Sequence, residues 1–188
     1  MSLRSDGNGG LIISGDVSAG THFDLKTSNS DGVIEISGAV AAEKDARFET
    51  AGAATDIRFG ASVAVSAGGD VALVTTGDGA KIATIVENLE DEDSRRRLQS
   101  SRTSFTSSVV KAAGSIIART SGVASTIRLG TLSAGGDVVV EGWQRMASCE
   151  HLHNGTTNTP DVSFATVTLN NHSFVNTNHC VKVSNVRM

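Results

Sequence analysis

The side chains best suited to binding metal or forming covalent links gather near the C-terminus. Cys149, His151 and His153 lie within five residues, His172, His179 and Cys180 follow, and His22 is the one histidine elsewhere. Strand alternation in Cys149-Glu150-His151-Leu152-His153 would set Cys149, His151 and His153 on one face. That is the start of a tetrahedral zinc site, which His179 and Cys180 could complete. Neither C-x-x-C nor H-x-x-x-H spacing occurs. The two cysteines also suit a Cys149–Cys180 disulfide in an extracellular chain. Its loop of ~30 residues would add about 3 kcal/mol by constraining the unfolded state. Free thiols are the third account, and the residues alone leave all three open.

Other patterns offer weaker chemistry. Asn154-Gly155-Thr156 and Asn171-His172-Ser173 are acceptor patterns for N-glycosylation, relevant to a secreted eukaryotic protein. The turns Ser5-Asp6-Gly7-Asn8-Gly9-Gly10, Asn29-Ser30-Asp31-Gly32 and Gly77-Asp78-Gly79 invite a calcium reading. Calcium needs six to eight oxygens, and each turn offers one or two side chains. Asp and Asn favour such turns for local hydrogen bonding, so structural turns are expected. Glu35, Asp45, Glu49, Asp56 and Asp70 are scattered along the chain, whereas acid–base catalysis needs a facing pair. Arg58 and Arg128 hold equivalent places in two copies of a repeat, as a structural role predicts. No nucleophile elbow, zinc-protease, phosphate-loop or dinucleotide motif occurs.

Composition narrows the elements that must carry these groups. Glycine is 20 of 188 residues, there is one proline and no tyrosine, and aromatic residues are 4%. Many short strands with tight corners fit that profile. A charged share of 19% and a net charge of −4 argue against a nucleic-acid partner. No apolar run approaches the ~20 residues of a membrane-spanning helix. The opening residues MSLRSDGNGG contain no signal-peptide core.

The strongest signal is an internal repeat. The block SAGTHFDLKT at 18–27 recurs at 41–50, 66–75, 111–120 and 133–142, with starts 23, 25, 45 and 22 residues apart. Apolar side chains alternate within it: Phe23 and Leu25, Ala46 and Phe48, Val71 and Leu73, Ile116 and Ala118, Val138 and Val140. Thr27, Thr50, Thr75 and Thr120 close four of the copies. A second block begins at Leu11, Ile34, Ile57, Ile82 and Ile127, at spacings of 23, 23, 25 and 45. Both series contain one step of 45, which reads as a skipped copy. A unit of ~23 residues with two or three strands buries its apolar face only by stacking on the next.

The expected fold is therefore all-β, a parallel β-helix or β-solenoid of about six coils, rising about 4.8 Å per coil. An antiparallel propeller or sandwich is the rival, since a propeller blade also takes ~45 residues. Leu25, Phe48, Leu73, Ala118 and Val140 should align coil upon coil, and Phe23, Phe48 and Val71 should share a buried column. Gly15, Gly38, Gly60 and Gly130 follow the second strand, where positive φ would explain them. The solenoid would span 1–142, with a charged insertion at 87–108 in place of the skipped copy. There Asp91–Arg95, Glu92–Arg96 and Asp93–Arg97 are spaced to support a short helix. The arginines also form a candidate processing site or docking arm, although a solvated insertion accounts for the same charges. Residues 143–188 form a C-terminal cap in which Trp143 would cover the last coil.

Phrases such as GGDVALVTTGDGA, SGDVSAG and SAGGDVVVEG resemble the G-D-V-x-L-x-T-G repeats of large adhesin-like surface proteins. In texture they are also similar to filamentous-haemagglutinin β-helices. The likeness covers about 11–142. It implies a parallel β-helix serving attachment or a surface coat, in an extracellular or cell-surface setting, and it transfers no functional residue. The expected function is a non-catalytic structural or adhesive module that binds glycan, protein or neighbouring copies. The alternative is a β-helix polysaccharide lyase or hydrolase, or its accessory domain. No cofactor is required, calcium and zinc being the candidates if one is bound.

Overall fold

The computed structural model describes residues 1–6, 9–87, 105–122 and 125–142, with the strands at 162–169, 175–176, 181–183 and 186–187. The chain winds as a parallel β-solenoid, and each rung lays one strand on each of three faces. The first rung is β1 (Ser2–Ser5), β2 (Leu11–Ile13) and β3 (Val17–Ala19). The second is β4 (Phe23–Thr27), β5 (Val33–Ile36) and β6 (Val40–Ala42), and the third β7 (Ala46–Ala51), β8 (Asp56–Phe59) and β9 (Ala64–Ala67). The fourth has β10 (Val71–Thr76) and β11 (Lys81–Ala83). A side excursion, β12 (Ile85–Glu87) and β13 (Phe105–Ser107), precedes its last strand, β14 (Val109–Ala112).

In the fifth rung β15 (Ile116–Thr120) is followed by a long strand, β16 (Thr126–Ala134), that serves the second and third faces together. Five rungs are thus complete by Ala134. Parallel pairing then continues through β17 (Val138–Gly142), β18 (Val162–Leu169), β19 (Val175–Asn176), β20 (Val181–Val183) and β21 (Val186–Arg187). The first face is seven strands deep, in the order β1-β4-β7-β10-β15-β17-β19.

The 18–27 and 41–50 blocks pair parallel, Phe23 with Ala46 and Leu25 with Phe48, which rules out the propeller and the sandwich. Alternation explains the core. Inward residues of the first face form two columns: Phe23, Ala46, Val71, Ile116, Val138, and Leu25, Phe48, Leu73, Ala118, Val140. All ten are buried. The expectation that Phe48 shares a column with Phe23 and Val71 is corrected, because the register places Ala46 there. The rings still meet diagonally, Phe23–Phe48 at 5.8 Å and Phe48–Phe59 at 5.3 Å. Ile34, Ile57, Ile82 and Ile127 stack on the second face, and Val40, Val65, Val110 and Leu132 on the third.

No copy is skipped. Val71 pairs directly with Ile116 and Ile82 with Ile127, so neighbouring rungs are 45 residues apart in sequence. The extra length leaves the solenoid after Thr84 through antiparallel β12–β13 and returns at Ser108, whose backbone N–H donates to the Thr84 carbonyl at 2.9 Å. An insertion about one coil long imitates a missing coil in any count of spacings. Ser108 belongs to the solenoid and is fully buried, its hydroxyl donating to the Gly60 carbonyl at 3.0 Å.

The glycine account also changes. Among the described residues positive φ falls on Gly52, Gly77 and Gly79, and on Asp31, Ala54 and Ser62, not on Gly15, Gly38, Gly60 or Gly130. Gly38 is small for a different reason: a Cβ there would collide with the backbone of Gly15 one rung below. Gly130 lies inside β16, its N–H donating to Thr84 Oγ1 at 2.7 Å.

Candidate functional site

The residues singled out in the tail, Cys149, His151, His153, His172, His179 and Cys180, lie outside the described residues. So do Trp143, both glycosylation patterns and the helix expected across 91–97. Among the described residues no group of three or more His, Cys, Asp or Glu is arranged to hold a metal. Of the acidic turns, Asp6 bonds Arg4 at 2.7 Å and Ser28 Oγ at 2.5 Å. Those partners hold its carboxyl below the ordinary value of 3.8, the Ser28 hydrogen bond contributing most. Asp31 adopts φ 61°, the left-handed region that Asp tolerates in turns.

What the sequence did not reveal is a ladder at the corner leading into the first face. Asp45 Oδ1 accepts the N–H of Asp70 at 2.9 Å, and Asp70 Oδ1 accepts the N–H of Ser115 at 2.7 Å. Ser115 Oγ in turn accepts from the N–H of Asp137 at 3.1 Å. Each side chain therefore satisfies a backbone donor one rung on, a group that would otherwise be left over at a corner. The glycine before each N–H donor, Gly69, Gly114 and Gly136, makes the room. A Cβ at Gly69 would strike Asp45 Oδ1, and one at Gly114 would strike Asp70 Oδ1. This is the physical content of the Gly-Asp pairs in the repeat, whose only trace in the sequence is the recurring G-G-D phrase. His22 closes the ladder's first end, its Nδ1 3.0 Å from Asp45 Oδ2.

The threonine column turns inward. Thr27, Thr50 and Thr75 are fully buried and Thr120 is 2% exposed, so they present no outer lattice. Thr50 Oγ1 bonds Thr55 Oγ1 at 2.9 Å across the corner. Thr27 and Thr75 face Gly32 and Ala80, the residues in register with Thr55, and their hydroxyls have no partner.

The outer faces differ in character. On the first, Glu49 sits between Lys26 at 2.6 Å and Arg47 at 2.7 Å. The Lys26 hydrogen bond, with the charge of Arg47 behind it, keeps the Glu49 carboxyl below its ordinary 4.5. Farther along, the same face carries half-buried Ala72, Val74, Ile117 and Val139, then the Arg119–Glu141 pair. On the second face Asp56 pairs with Arg58, and Glu35 and Arg58 occupy adjacent outward places. The third face is built of small residues around a shallow groove of about 280 Å³ lined by Asp16, Ser18, Ala39, Ala41, Ala64 and Ser66. Asp16 is committed there to the backbone N–H of Ala39 at 2.8 Å. Among the described residues no helix is long and apolar enough to cross a membrane.

Comparison with family models, with curated proteins and with solved structures gives no match.

Proposed function

We propose that this chain is a non-catalytic repeat module of a cell-surface or secreted assembly, holding a glycan, a protein or a neighbouring copy through an outer face. One observation carries the reading: four of the five carboxylates singled out in the sequence, all but Glu35, are already engaged in the architecture. Asp45 and Asp70 accept backbone N–H groups of the next rung, Glu49 lies between two cations, and Asp56 and Glu141 each pair with an arginine. A catalytic acid or base instead stands in a pocket with its ionisation tuned for proton transfer. Repeated outward columns suit many weak contacts, which sum to firm attachment by avidity when modules are arrayed.

The test is a panel of acidic and neutral polysaccharides, with and without calcium, followed for binding and for new chain ends. Binding without turnover, weakened stepwise as outward residues are removed rung by rung, is the expected result. Turnover abolished by a single substitution, Glu35→Gln or Asp70→Asn, would overturn the reading in favour of a lyase or hydrolase.

A further inference from the structure

The outer side of the first face carries two columns of side chains, two residues apart along each strand. By rung they read Asp24 and Lys26, Arg47 and Glu49, Ala72 and Val74, Ile117 and Arg119, Val139 and Glu141. Two features of this surface bear on a partner. The column order of charge reverses between the second and third rungs, acid–base and then base–acid. The fourth rung is wholly apolar, and Ile117 and Val139 extend that patch along the first column.

We propose that this face pairs with the same face of a second copy, the two rods lying side by side and parallel, related by a two-fold axis that runs along them. This deepens the reading above by naming a neighbouring copy as the partner. A rotation about that axis keeps every rung level and exchanges the columns. Asp24 then meets Lys26 of the other copy, and Arg47 meets its Glu49. Ala72 meets Val74, while Ile117 and Val139 lie against the aliphatic stems of Arg119 and Glu141. Opposite charges thus coincide at the second and third rungs and apolar groups at the fourth. Asp24, which has no side-chain partner among the described residues, gains one. Each contact occurs twice in an isologous interface. Six rungs of about 4.8 Å and strands of about five residues give roughly 500 Å² per copy, at the lower bound for a specific interface. The association should accordingly be weak in solution and reinforced where copies are arrayed.

The experiment is sedimentation equilibrium of the full chain over a concentration series, with four outward-facing variants whose circular dichroism and melting show an intact fold. Wild type should show a monomer–dimer equilibrium. Arg47→Glu sets like charges against each other twice, and Val74→Lys buries two cations, so each should weaken association about tenfold or more. Asp24→Lys should do the same against Lys26. The fourth variant, Asp24→Lys/Lys26→Asp/Arg47→Glu/Glu49→Arg, inverts both rungs and keeps the pattern within each chain. It should dimerise within about threefold of wild type yet fail to form mixed dimers with it. A single species of 19.3 kDa at every concentration would overturn the proposal, as would free mixing of the inverted and wild-type chains. Glycan binding by a strictly monomeric chain would leave the proposed function standing while this inference fails.

Discussion

Asp45 and Gly69 are a coupled pair one rung apart, and their coupling can be measured. Gly69→Ala forces a Cβ onto Asp45 Oδ1, so it should cost about 1–3 kcal/mol as an overpacked contact. Asp45→Ala loses the hydrogen bond to the Asp70 N–H together with the exposed His22 contact and should cost about 1–2 kcal/mol. In the double variant the clash is gone, so urea unfolding should show the two costs adding to clearly less than their sum. Strict additivity would remove the ladder's account of the Gly-Asp pairs. Glu49 gives a pH test. Its carboxyl is depressed in the folded state, so its stabilisation is complete above the ordinary 4.5 and is lost as pH falls through the lower folded value. Wild type should lose stability as pH falls from about 5 through the lower folded value more steeply than Glu49→Gln, with an effect kept small by the partly exposed Lys26. At this scale the inward positions were readable from alternation alone, because burial on a strand follows a period of two. The ladder was not. Its partners are one residue type apart in sequence phrase but a whole rung apart in chain, and only the register shows which oxygen meets which N–H.

The element most open to manipulation is the excursion at β12–β13. β10 pairs with β15, and β11 with β16, as though nothing intervened. Joining Thr84 directly to Ser108 would leave a fourth rung of the same length as the fifth, which passes the equivalent corner through Leu129 and Gly130 within continuous β16. A chain lacking 85–107 should therefore fold with the parallel sheets intact and with stability within about 1–2 kcal/mol of wild type, since shortening a long loop recovers closure entropy slowly. Loss of the cooperative transition on this deletion would show that the excursion holds the rung together. The charged composition of 87–108 marked this stretch as an insertion from sequence. That no coil is missing beside it did not follow, because a length close to one coil leaves spacing arithmetic unable to separate an inserted loop from an absent repeat. The third face was similarly half-hidden. Ala19, Ala42, Ala67, Ala112 and Ala134 recur at the second place of the first block, yet small residues give a faint hydrophobic signal, and their strand becomes visible only as a stacked column.

Taken as a whole, the molecule is a stack in which each rung touches its two neighbours, and its stability should be distributed accordingly. The first rung has one neighbour, and Leu3, Leu11, Ile13 and Val17 are only partly buried against the core. Rungs two to four have neighbours on both sides, and their inward side chains are almost completely covered. Amide hydrogen exchange should therefore be fastest in β1, β2 and β3 and slowest in β7 and β10. Phe48 is the natural probe of how far a local loss travels, because it contacts both Phe23 and Phe59 and is fully buried. Phe48→Ala should cost about 3–5 kcal/mol. In a stack governed by nearest-neighbour terms the loss of protection should centre on β4, β7 and β10 and fade by β15. A globally cooperative core predicts instead an equal loss at every slow amide, so a uniform drop as far as β17 would refute the picture of a rod whose rungs are stabilised pairwise. A graded drop would mean that each rung relies on its immediate neighbours, while the outer faces stay free to carry contacts.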